Sequence, residues 1–186
     1  MARPLSEEKR QAILRAALEV IAGEGLSAST AKIARKANVA EGTIFTYFST
    51  KEVLLNELYI DLKRDLAGAV ARRFPDGLGS QEKIRHLWTC YIRWGAEDPL
   101  KHRALRQLSV SEQVTEASRE VGRQCVGQFS QALRENSRDG EKADFAGAVM
   151  AALADMTLDF IAGEPRRAKH YTEMGFGAFW RAIEGA

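Results

Sequence analysis

Along the chain, apolar residues recur three and four positions apart, the spacing that lines one face of an α-helix, and alternating strand-like runs are absent. The pattern predicts an all-α protein. Ser6 is a good N-cap, followed by Glu7 and Glu8 where a helix dipole favours negative charge. It opens a first helix with a stripe of Ile13, Leu14, Ala17, Leu18, Val20 and Ile21, ending near Gly23 to Gly25. A short second helix follows Ser29 or Thr30, turns Ile33, Ala34 and Ala37 inward, and stops at Asn38, which tolerates the left-handed backbone of a tight turn. A third runs from near Ala40 to Phe48. Ser49 or Thr50 caps a longer helix from Lys51 to about Arg73, apolar along Val53, Leu54, Leu58, Leu62 and Leu66 and ended by Phe74 and Pro75.

After a loop from Pro75 to Gly79, the same spacing predicts five more helices. They run from Ser80 to just before Asp98, from Pro99 to about Val110, from about Glu112 to Asn136, from Lys142 to Ala162, and from Pro165 to Glu184. The total is about nine helices. No stretch approaches the roughly 18 consecutive apolar residues of a membrane helix, and Met1 to Arg10 is polar where a signal peptide would be apolar. The chain therefore reads as cytoplasmic, with no membrane partner.

Composition adds little to this picture until it is divided along the chain. With 45% apolar and 28% charged residues, the protein resembles an average globular chain and can bury its own core. The net charge is only +2, but residues 1–51 carry eight Lys/Arg against five Asp/Glu, while residues 52–186 carry nineteen against twenty. The positive excess sits at the N-terminal end, where a nucleic-acid partner would be met. Cys90 and Cys125 are far apart and form no C-x-x-C pair, which argues against a zinc or redox motif. His86 and Cys90 stand four apart on one helix face, yet a metal site needs three or four ligands and no further one is in view, so no metal is expected. Asp155 and Asp159 share that spacing and read as the polar edge of a helix. No G-x-S-x-G, phosphate-binding glycine loop or H-E-x-x-H is present, and neither enzymatic activity nor a cofactor is expected.

Residues 30–48 carry the chemistry. Two helices joined by a turn of three or four residues, the second short and rich in small polar side chains, can place a recognition helix in a DNA major groove. Ile33-Ala34, Ala37, Val39, Gly42-Thr43-Ile44-Phe45, Tyr47-Phe48 and Lys51 closely resemble, in register, the helix-turn-helix of the TetR/AcrR family. The resemblance covers about the first sixty residues. Two positions depart from that family's pattern: Asn38 replaces the usual turn glycine, and Ala40 replaces the Ser that commonly caps the recognition helix, a loss of about 1 kcal/mol of local stability.

The resemblance implies a three-helix DNA-binding domain over residues 1–51, joined by the fourth helix to an effector-binding and dimerisation bundle over 52–186. It also implies a homodimer on a palindromic operator in double-stranded DNA and a small-molecule effector. On a helical wheel Ile44 and Phe48 face the bundle, and Gly42 and Thr46 face the groove. Thr43 and Tyr47 share an edge where their hydroxyls can meet phosphates. Gly42 lets the helix approach the bases, and Phe45 and Thr46 can pack on thymine methyls or bond a base edge. Glu41 has two readings, an acceptor for cytosine N4 or a favourable charge at its helix start. Lys51, Thr30 and Lys32 stand at helix starts flanking the groove, where phosphates lie.

For the effector the candidates are Trp88, Tyr91, Trp94, Cys125 and Phe129, aromatic walls with indole and phenol groups that suit a largely apolar ligand; such a stripe is more often core than pocket. For the dimer they are Phe145, Val149, Ala152, Leu153, Met156 and Phe160 with Met174, Ala178 and Phe179, a pattern that an ordinary internal core would explain equally well. A repressor released by its effector is the function implied. The alternative is a DNA-anchored adaptor or architectural protein whose C-terminal bundle binds another protein.

Overall fold

The computed structural model describes residues 6–71, 79–136 and 140–184, apart from the side chains of 128–130, 136, 140 and 144. Those residues form α1 (Glu7–Glu24), α2 (Thr30–Lys36), α3 (Glu41–Tyr47), α4 (Lys51–Ala71), α5 (Ser80–Glu97), α6 (Pro99–Ser109), α7 (Glu116–Cys125), α8 (Gly127–Asn136), α9 (Gly140–Gly163) and α10 (Ala168–Glu184). A short 3-10 turn, Pro165–Arg167, precedes α10. Among the described residues there is no strand, as the spacing predicts.

The helix ends follow local chemistry. Ser6 Oγ accepts the Lys9 N–H at the start of α1, and Gly25, at φ 87°, closes it by donating to the Ile21 carbonyl. Ser29 caps α2, which leaves the Thr30 hydroxyl for other partners. Phe74 and Pro75, the expected end of the fourth helix, lie outside the described residues. Where one helix is expected over 112–136, the structure has two, interrupted at Val126. The physical reason is propensity: a β-branched residue followed by Gly127 is a poor helix segment, and the apolar spacing runs across it unchanged.

The chain forms two compact units, residues 1–63 with 99–122, and residues 64–98 with 123–186. Compactness thus divides the chain differently from the 1–51 and 52–186 division of roles, because a later segment folds with the N-terminal helices. In the first unit α1 packs on α2 and α6, and α2 on α3, around Ile13, Ile21, Ile33, Ile44 and Phe48. The N-terminal half of α4 belongs to this unit and is held from two directions. Glu57 accepts from Arg10 of α1 at 2.6 Å. Asn56, only 8% exposed, donates to the carbonyls of Glu52 and Gln113 at 2.7 and 2.8 Å and accepts the N–H and hydroxyl of Thr115 at 2.9 and 3.2 Å. Arg119 secures the same segment by donating to the carbonyls of Ser109 and Ser111, both at 2.7 Å. Gly122 brings α7 against Tyr59, so closely that a Cβ would lie 2.7 Å from its ring.

In the second unit α9 packs on α5, α8 and α10. Its buried side is Ala143, Ala146, Met150, Ala154, Thr157, Leu158 and Ile161. The opposite side leaves Phe145, Met156 and Phe160 exposed, so residues 141–163 are apolar around most of the helix. By length and composition alone this helix could cross a membrane, although Asp155 and Asp159 leave it without a long unbroken apolar run.

Candidate nucleic-acid interface

The α2–α3 turn is built as the residues predict. Asn38 takes φ 54°, the left-handed conformation that an asparagine tolerates, and Val39 N–H reaches the Ala34 carbonyl at 3.0 Å. Ala40 supplies no side-chain cap to α3. The helix is held instead by burial of Ile44 and of Phe48 just beyond its end, at 0% and 1% exposure. That anchorage turns the other positions outward. Glu41, Gly42, Phe45 and Thr46 are exposed, with Phe45 at 45%, while Thr43 and Tyr47 lie half-buried along one edge.

Several of these groups already have partners. Thr46 Oγ1 donates to the Gly42 carbonyl at 3.2 Å, a back-bond within the helix. A Cβ on Gly42 would meet nothing within 4 Å, so the protein's own packing does not require glycine there. Tyr47 Oη accepts the Ser6 N–H at 3.0 Å, and its own proton stays available to a phosphate. Lys51 Nζ donates to the Leu26 carbonyl at 2.7 Å, using one of three ammonium protons. Lys32 is ion-paired with Glu24, and Lys36 with Glu19 at 2.6 Å. Thr30 Oγ1 donates to Glu41 Oε1 at 2.5 Å, joining the first residues of α2 and α3 across the turn. The Ser6 contact joins residues 41 positions apart and leaves no mark in local sequence.

The chain matches the family model of "bacterial regulatory proteins, tetR family" over residues 13–58. A TetR family transcription regulator from Shewanella sp. PV-4 superposes with a TM-score of 0.80 at 28% identity, covering 94% of this chain and 97% of that one. Residues 13–58 therefore match a TetR-family segment, and the whole chain is similar in fold to a TetR-family regulator. The HTH-type transcriptional regulator BetI 1 of Chromohalobacter salexigens is 40% identical over 81 residues, 42% of this chain and only 40% of that protein. FadR from Bacillus subtilis, solved with stearoyl-CoA, shares the fold with a TM-score of 0.67 at 20% identity, over 90% of this chain and 97% of that chain. The TetR helix-turn-helix is therefore the segment shared at sequence level, and the remaining helices are shared as architecture.

The effector candidates are scattered in their surroundings. Trp88 is wholly buried, stacked on Phe179 at 6.0 Å, edge-on to Phe176, and satisfied by donating to the Thr172 carbonyl at 2.9 Å. Gly175 permits this, since a Cβ there would sit 2.6 Å from the indole and 2.3 Å from Thr157 Oγ1. Trp88 is thus core with no polar group left to offer. Trp94 is buried and donates to Asp65 Oδ2 at 2.7 Å, with the half-buried Tyr91 ring 6.1 Å away. Asp65 gives no sequence signal, being one of several charges along α4. Cys125 is half-buried, and the Phe129 side chain lies outside the described residues.

Of the dimer candidates, Phe145 (67% exposed), Met156, Phe160 and Met174 (59%) are open on the single chain, Ala152 is exposed, and Val149, Leu153 and Ala178 are half-buried. Phe179 differs: at 0% exposure against Trp88 it is spent inside its own unit and has no surface for a second chain.

Proposed function

We propose that the protein is a transcriptional repressor that binds a palindromic operator as a homodimer and is released by a small, largely apolar effector. The observation that carries this reading is the outward face of α3. Gly42 and Phe45 stand free of internal demands, Thr46 bonds only within its own helix, and Thr43, Tyr47 and Lys51 beside them still hold protons for phosphates. Gly42 admits the bases, Phe45 and Thr46 touch thymine methyls or base edges, and Lys32 adds charge at the flank. Two copies pair through the apolar face of α9 and α10, setting two α3 helices in successive major grooves. Residues 1–51 read DNA and residues 52–186 carry effector and dimer functions, in the cytoplasm and without catalysis.

The effector site centres on Tyr91, Trp94 and Cys125, where the Tyr91 ring lies near the Trp94 indole and that indole is anchored on the Asp65 carboxylate. An apolar effector agrees with the acyl chain of the ligand in the FadR relative. Its binding shifts α4 and spoils the spacing of the two recognition helices. The test is selection of bound duplexes from random DNA with the purified protein. An inverted repeat supports the reading. Salt-sensitive binding with no preferred sequence removes it, and would turn the search to a DNA-anchored adaptor that uses the α9–α10 face for another protein.

A further inference from the structure

Glu41 is the only acidic residue of α3 and is exposed on the face assigned to DNA. Among the described residues no cation pairs with it; its partner is the neutral hydroxyl of Thr30, 2.5 Å from Oε1. Two consequences follow from simple counting of protons. A threonine hydroxyl has one hydrogen, and while Thr30 gives it to Glu41 it has none for a phosphate. Glu41 keeps its full negative charge, its second oxygen and spare lone pairs, so it repels phosphates and can accept only from a donor on the DNA. In the major groove those donors are the exocyclic amino groups, and a carboxylate matches cytosine N4.

The geometry points to Thr30 and Glu41 as one specificity-determining unit, in which Thr30 positions the Glu41 carboxylate to read a cytosine in each half-site. This rests on the regulator reading above. It replaces a phosphate role for Thr30 with a positioning role, and it selects base reading for Glu41 over a merely favourable charge. Ser29, and not Thr30, caps α2, so the Thr30 hydroxyl can be removed without unmaking a helix end. Both side chains are accessible, and isosteric changes at them leave the core alone.

The experiment is duplex selection from random DNA with five proteins: wild type, Thr30→Val, Thr30→Ser, Glu41→Gln and the double variant Thr30→Val with Glu41→Gln, each checked for helicity and melting temperature. Wild type should return an inverted repeat with a cytosine column in each half. Thr30→Val and Glu41→Gln should both flatten that same column, lowering the preference for cytosine about tenfold and leaving other columns in place. Thr30→Ser should restore it. The double variant should lose no more than either single, because the two residues act together. Glu41→Gln should also bind unrelated DNA at least as tightly as wild type, since a charge that repels phosphates is gone. The inference is overturned if Thr30→Val weakens all duplexes equally, or if the two variants alter different columns. A wild type that returns no repeat overturns the regulator reading itself, an outcome distinguishable from a repeat whose columns ignore these substitutions.

Discussion

Two surfaces of this molecule leave bulky apolar groups in the open, and they do so in different company. On α3, Phe45 stands alone among Gly42, Thr46, Thr43 and Glu41, small or polar neighbours that make a thin, hydrated ridge. On α9 and α10, Phe145, Met156, Phe160 and Met174 stand above alanines and half-buried Val149 and Leu153, with Asp155 and Asp159 of α9 and Glu173 and Arg181 of α10 as the charges among them. An isolated exposed aromatic is common on any protein, whereas an apolar stripe along a helix asks to be covered. Exposure alone therefore does not identify a partner. The neighbours do: hydroxyls and unspent N–H groups suit phosphates and bases, and bare hydrocarbon suits another hydrocarbon face.

Charge placed on the apolar face should have the largest effect. Met156→Glu combined with Phe160→Glu should leave the chain folded and make it monomeric in sedimentation. Operator affinity should fall by about a hundredfold or more as the second half-site contact becomes independent. A dimer that survives these charges would move the interface elsewhere. Beneath that face, Trp88→Ala should lower unfolding stability by about 3–5 kcal/mol in denaturant titration, the effect of emptying a packed aromatic site. A small loss would mean that the indole is not the core element that its stacking on Phe179 indicates.

At the polar ridge the effects are smaller and should appear in binding. Thr43→Ala is expected to weaken binding by about 1 kcal/mol and Lys51→Met by up to about 3 kcal/mol, to the same extent for every sequence tested. A change in sequence preference would place these residues on bases instead.

The smallest expected effect lies at the α9–α10 turn. Tyr171 donates to Glu164 at 2.8 Å, and this bond, then that from Arg167, holds the Glu164 carboxyl below its ordinary value of 4.5. A carboxyl with a lowered folded value adds stability that is present above pH 4.5 and lost as pH falls through the folded value. Tyr171→Phe should therefore narrow the difference in melting temperature between pH 6 and pH 3 slightly, because the pair is solvent-screened. An unchanged difference would mean that the bond does not persist in solution.

How far the sequence speaks depends on the range of the interactions. The helix-turn-helix is legible because its determinants are local: Ser6 and Ser29 as caps, Asn38 in the turn, and Ile44 and Phe48 four apart. The break between α7 and α8 is less visible, since apolar spacing continues across Val126 and Gly127. Trp88 and Phe179 show the deeper limit. Periodicity says that each faces something apolar, and only the folded structure shows that they stack on each other. Likewise, the Thr30–Glu41 bond and the Asn56 clamp span turns and long intervals that no local pattern records.

The Asn56 clamp has a consequence for how the N-terminal half of α4 can respond. The side-chain amide meets four groups with both of its ends, so its two functions cannot be released one at a time: turning the amide to free Thr115 also withdraws it from Gln113. Buried hydrogen-bonding groups do not remain half satisfied at low cost. The grip of the 113–115 segment on α4 is accordingly a latch with a threshold, and small disturbances below that threshold leave the helix where it is.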